Sequence, residues 1–163
     1  MDGSELSRGG FGADLGTVEV EDGSQVQGGK LLLKNQWNTD LHYPLESLRQ
    51  QGLSLDPPDV LFYKNHIYGV YSGHNEMASY LQNRGIKTLL FCGVNVEFCP
   101  LSTLLNANLM GFDTVLLGDC SGTTNGEEAL VTSRQVCRKG WGFLSSSEEI
   151  VWGLEGLSQI NTD

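Results

Sequence analysis

The chain has 163 residues, 39% of them apolar, which suits one domain of ordinary size. Ten basic side chains against twenty acidic ones leave a net charge of −10, which argues against surfaces built for nucleic acid or anionic membrane. No apolar run approaches a membrane span and no signal-peptide pattern opens the chain, so a soluble cytoplasmic protein is expected.

The glycines crowd the first thirty or so positions, and "SRGGFGADLG" and "VEDGSQVQGGK" read as loop. "KLLLK", Lys30–Lys34, reads as a short extended piece, and "YPLESLRQQG" as a helical turn that ends at Gly52. Pro57 and Pro58 then break the chain, since two prolines forbid a helix interior. These signals predict a single domain over 1–163, with a loop-rich part over 1–57 and an α/β core over 58–155.

"DVLFYK", Asp59–Lys64, reads as a strand. "NEMASYLQNRG" reads as a helix capped by Asn75 and closed by Gly85, with Met77, Tyr80 and Leu81 on one face. "KTLLFCG", Lys87–Gly93, is a continuous apolar run of the kind buried on both faces. "PLSTLLNANLMG" is a helix with Pro100 in its first turn and Gly111 as its stop. "DTVLLGDC" is a second buried strand. "NGEEALVTSRQVCRKG" is a helix, with Asn125 and Glu128 at capping-box spacing. "GWGFLSS" is a last short strand, and "SSEEIVWGLEGL" begins a C-terminal helix. Alternating strands and helices predict an α/β fold, a mainly parallel sheet with right-handed crossovers. Ligands in such sheets bind beyond the carboxyl ends of the strands, which selects Lys64, the "GVNVEFC" loop and "GDCSGTT".

Cysteines stand at 92, 99, 120 and 137, with no C-x-x-C pair, so a zinc knuckle is not expected and free thiols are the default. Cys99 lies where a helix begins. Unpaired N–H groups and the positive end of the helix dipole favour a thiolate there, and the same N–H groups suit an oxyanion. A lone cysteine at such a junction is more often a small buried side chain than a nucleophile. Lys64 would add a positive charge near the sulfur, or be an ordinary solvated lysine. Cys92 and Cys137 read as packing, and Cys120 as packing or a lining of the same pocket. His66 and His74 read as surface or pocket-rim residues, and Asp119 as the cap of the turn that follows it.

Taken together, "VLFYKNHIYG", "LQNRGIKTLLFCGVNVEFCPLSTLLNANLMGFDTVLLGDCSGTT" and "GWGF" resemble the isochorismatase-like cysteine hydrolases, which include nicotinamidases and N-carbamoylsarcosine amidohydrolases. The resemblance covers the last two-thirds of the chain and implies a Rossmann-like three-layer α/β/α fold. It implies Cys99 as nucleophile and Lys64 as its partner, acting on a small amide, imide or vinyl-ether substrate. It also implies a cis peptide between Asn95 and Val96 that aims N–H groups at the oxyanion, with the Cys99 N–H completing the hole. Tyr68 replaces a small residue and would narrow the pocket, with His66 beside it.

The family triad is Asp, Lys and Cys, and its Asp comes from a first strand with a "D-x-Q" motif. No such motif stands here, so the chain reads as beginning after the family's first two strands. That leaves a pseudoenzyme or binding module of the same family as the alternative, and a truncated gene product as a third reading. The D-x-H motif of nicotinamidases is also absent, and neither metal nor cofactor is expected. Without the first strands, Asp59–Lys64 would pair with Lys87–Gly93 in a sheet of about four strands; an edge left open would invite "KLLLK" or a second copy.

Overall fold

The computed structural model describes residue 10 and residues 12–160, with side chains as far as residue 157. The loop reading at residues 7–9 and at Phe11 lies outside the described residues. The chain divides into two compact units, residues 1–61 and residues 62–163.

In the first unit, β1 (Thr17–Glu19) and β2 (Gln25–Gln27) form an antiparallel hairpin where only loop was expected. Its turn is closed by Asp22, whose Oδ1 accepts from the Ser24 N–H at 2.8 Å, and by Gly23 at φ +81°. "KLLLK" is extended only at Lys30, which bridges to Asp14. The next residues turn instead, with Leu32 and Asn35 at positive φ. Helix α1 (Leu45–Gly52) ends at Gly52 as the sequence predicts.

The second unit holds α2 (Glu76–Asn83), β3 (Thr88–Gly93), α3 (Cys99–Leu109), β4 (Asp113–Ser121), α4 (Glu127–Val136), β5 (Phe143–Ser145) and α5 (Ser147–Ile160). Its three strands are parallel in the order β3-β4-β5. Asn75 caps α2 by accepting from the Ala78 N–H at 2.7 Å, and Gly85 and Gly111 take the positive φ that closes α2 and α3. Helix α4 starts differently from the expectation. Its N-cap is Gly126, with no side-chain cap, because Asn125 gives its amide to Glu97 instead.

Right-handed crossovers running one way along a sheet return their helices to the same face. The core agrees. Val70, Ala78, Leu81, Ala107 and Phe112 pack with Leu89 and Phe91 of β3. Val96, Leu101, Leu104, Leu116 and Cys137 pack with Phe91 and Leu144. The other face corrects the expectation of strands buried on both sides, since Leu90 is 48% and Phe143 66% exposed. Cys92, on that same face of β3, is exposed rather than packed. Helix α5 is tied to β4 at its first turn, where Asp119 accepts from the Ser147 N–H at 3.0 Å and the Ser147 hydroxyl at 2.5 Å. Among the described residues no helix is long and apolar enough to cross a membrane.

No strand forms over residues 59–64, so the sheet of the second unit has three strands rather than four. Within that unit, Phe62 packs edge-on against Tyr80 of α2 with ring centroids 5.4 Å apart, and Lys64 turns back on its own loop. The outer edge of β3 carries no strand partner among the described residues.

Candidate active site

Gly93 ends β3, and the chain turns through "VNVEF" before α3 begins at Cys99. Pro100 occupies the first turn of α3, where its missing N–H costs nothing. Leu101 N–H already donates to Val96 O, while the Cys99 N–H has no backbone partner among the described residues.

Lys64 reaches this point from 35 residues upstream, its Nζ 3.6 Å from Cys99 Sγ. The same Nζ donates to the carbonyls of His66 at 2.8 Å and Ile67 at 3.0 Å, so the loop after Lys64 folds round its own ammonium group. Thr103, one turn after Cys99, holds the two segments together. Its hydroxyl donates to Cys99 O at 2.6 Å and accepts from the Gly69 N–H at 3.0 Å. The Gly69 carbonyl in turn accepts from Asn75 Nδ2 at 3.0 Å, which ties the loop to the start of α2. Sequence reasoning passed over Thr103; its i+4 spacing from Cys99 on a helix was the available signal. Cys99 is half-buried and Lys64 exposed, so the pair is shallow.

The loops after β3 and β4 meet as the strand-end rule requires. Val96 N–H donates to Gly122 O at 2.9 Å, and Thr124 N–H donates to Asn95 Oδ1 at 3.0 Å. The non-proline cis bond joins Val94 and Asn95, one bond before the expected position. Val96 is fully buried in the core with its N–H committed to Gly122, so it offers no free oxyanion donor. Glu97, also passed over, has Oε1 accepting from the Thr123 hydroxyl at 2.7 Å and Asn125 Nδ2 at 2.5 Å. Burial pushes its carboxyl up, but these donors together hold it below the ordinary glutamate range.

Tyr68 is half-buried and stacks on His66 at 5.4 Å, and both rings meet Tyr71. Tyr68 lines a cavity of about 790 Å³ that Cys99 and Lys64 do not line. A second cavity, about 260 Å³, is lined by Lys64, Tyr71, His74 and Glu76. His66 lines neither. Cys137 is buried, and burial pushes its thiol up. Cys120 is exposed and lines neither cavity. No carboxylate lies within hydrogen-bond or ion-pair reach of Cys99 or Lys64 among the described residues. No group of three His, Cys, Asp or Glu could hold a metal ion among them either.

A family model described as the isochorismatase domain matches residues 24–140, well over half of the chain. The ureidoacrylate amidohydrolase RutB of Caulobacter vibrioides is 29% identical over 93 residues, which are 57% of this chain and 37% of that protein. RutB of Caulobacter segnis is likewise 29% identical over 93 residues, 35% of its length. The chain thus spans little more than a third of the curated relatives it matches. Among solved structures, nicotinamidase PncA from Bacillus subtilis aligns with a TM-score of 0.62 at 17% identity, covering 70% of this chain and 60% of that one. An isochorismatase-like hydrolase from Alkaliphilus metalliredigens aligns with a TM-score of 0.51 at 20% identity, over 56% of this chain and 48% of that one. At these identities the two structures speak for the fold, a parallel sheet with helices.

Proposed function

The chain belongs to the isochorismatase family, and on that footing we propose that it is a cysteine hydrolase of small amide-type substrates, with Cys99 as nucleophile and Lys64 as its cationic partner. The observation that supports this best is the 3.6 Å approach of Lys64 Nζ to Cys99 Sγ at the start of α3. The ammonium group and the helix N-terminus both favour the thiolate. The thiolate attacks the carbonyl carbon, and the Cys99 N–H, free of any backbone partner, faces the developing oxyanion. Collapse breaks the C–N bond, the leaving nitrogen takes a proton from Lys64, and a thioester remains on Cys99. Water then cleaves the thioester and returns a proton to Lys64, giving acid, amine and free thiolate.

Ureidoacrylate and nicotinamide, named for the relatives, are the substrates to try first, with imides and vinyl ethers after them. Hydrolysis by the wild type that disappears in Cys99→Ala supports the reading; unchanged turnover in that variant overturns it.

One observation favours a second reading, a binding module that has lost hydrolysis. Neither Cys99 nor Lys64 has a carboxylate partner to serve as general base among the described residues. Binding of either substrate by the wild type with no release of ammonia would select it. In both readings the protein is cytoplasmic and forms homo-oligomers through the open edge of β3, beside exposed Leu90. A sedimentation mass equal to one chain would remove the oligomer.

A further inference from the structure

Asn125 and Gly126 are the one Asn-Gly pair in the sequence. They stand in the loop between β4 and α4, and both are exposed. An asparagine followed by glycine is open to attack by its own backbone, because glycine has no Cβ to shield the next nitrogen or to stiffen the chain around it. The surroundings leave room for that attack. Gly126 has φ +89°, and no heavy atom lies within 4 Å of where its Cβ would stand. Its N–H has no hydrogen-bond acceptor among the described residues. The Asn125 side chain is engaged on its other side. Its Nδ2 donates to Glu97 Oε1 at 2.5 Å, beside the Thr123 hydroxyl, which donates to the same oxygen at 2.7 Å. That bond sits at an exposed side chain and opens on the fast timescale of such groups, so it slows the attack without forbidding it.

We propose that Asn125 is a site of spontaneous deamidation that unties the β4–α4 loop from the segment carrying Cys99. The Gly126 nitrogen attacks Asn125 Cγ, the Cγ–Nδ2 bond breaks, and ammonia leaves with the proton that the Gly126 N–H gives up. A cyclic imide then joins the two residues. Water opens it at either carbonyl carbon and returns a proton to the nitrogen, leaving an ordinary aspartate or its β-linked isomer. The product places a carboxylate where Glu97 had a donor, so a charge-assisted hydrogen bond becomes a like-charge contact. Of the two side-chain donors to Glu97, only the Thr123 hydroxyl remains. The modification does not depend on Cys99 being catalytic.

The test is incubation of the folded full chain in mildly alkaline buffer, followed by peptide mass spectrometry with chromatographic separation of the two isomers. Asn125 is expected to convert at least about tenfold faster than every other asparagine of the chain, none of which precedes glycine. Both isomers should appear, since only the imide yields the β-linked one. Conversion no faster than at the other asparagines overturns the proposal, and so does ordinary aspartate alone. The consequence is read on variants by urea unfolding. Asn125→Asp should lower the midpoint further than Asn125→Ala, which removes the donor without adding charge, and Glu97→Gln should erase that difference. Equal midpoints for Asn125→Asp and Asn125→Ala would overturn the untying.

Discussion

On one face of α3, Cys99 and Thr103 meet a loop that presents an ammonium group and backbone carbonyls. On another, Leu101 and Leu105 line a cavity that Glu97 and Glu128 also line. Both regions draw on the same short connection, since Glu97 and Cys99 are two residues apart. Glu97 is held by Thr123 and Asn125, and the charged group in contact with the sulfur is the Lys64 ammonium. A carboxylate beside Cys99 would oppose a thiolate; Lys64 favours it.

The sharpest way to break this contrast is Lys64→Met, which should slow alkylation of Cys99 at neutral pH by about tenfold or more, measured by timed mass spectrometry. Gly142→Ala attacks the other region. A Cβ there runs into the carbonyl and hydroxyl of Thr114, whose hydroxyl also donates to Trp141 O at 2.7 Å. A loss of about 1–3 kcal/mol in urea unfolding is expected, with the signal of Trp141 displaced. Thr103→Val tests the tie between the segments. It should cost about 1 kcal/mol and slow Cys99 alkylation several-fold, with Thr103→Ser restoring both.

The smallest effect lies far from both regions. The Ser147 hydroxyl and N–H hold the Asp119 carboxyl below its ordinary value of 3.8. A carboxyl depressed by folding stabilises the folded state above its unfolded pKa and loses that contribution as pH falls through its folded pKa. Protection factors of the amides in the first turn of α5 should therefore fall as pH drops below about 3.8, and should depend less on pH in Asp119→Asn.

Much of the second unit was legible because its helices carry explicit punctuation. Asn75, Gly85, Pro100 and Gly111 each sit where the backbone needs that residue type. The pairing of Lys64 with Cys99 was implied by the family pattern alone, since residues 59–64 form no strand for the strand-end rule to act on. Other features were hidden for physical reasons. Residues 59–64 have strand-like composition, but a strand also needs a neighbour to bond. Asn125 has capping spacing, yet Glu97 offers its amide a stronger, charged acceptor 28 residues away. Such a pairing leaves no local periodicity. The hairpin of β1 and β2 has three residues per strand, too short for alternation to show.

On the proposed reading, position and not exposure makes Cys99 the reactive thiol. Cys92 and Cys120 are exposed, Cys99 is half-buried and Cys137 is buried. Cys92 is exposed as a residue, but desolvation of its thiol, with the charge of Cys120 second, still pushes that thiol up. Limiting iodoacetamide at neutral pH, followed by peptide mass spectrometry of all four sites, decides the matter. Cys99 is expected to be labelled first, ahead of both exposed thiols, and Lys64→Met is expected to abolish the preference. Labelling in order of exposure, with Cys120 and Cys92 ahead of Cys99, would contradict it.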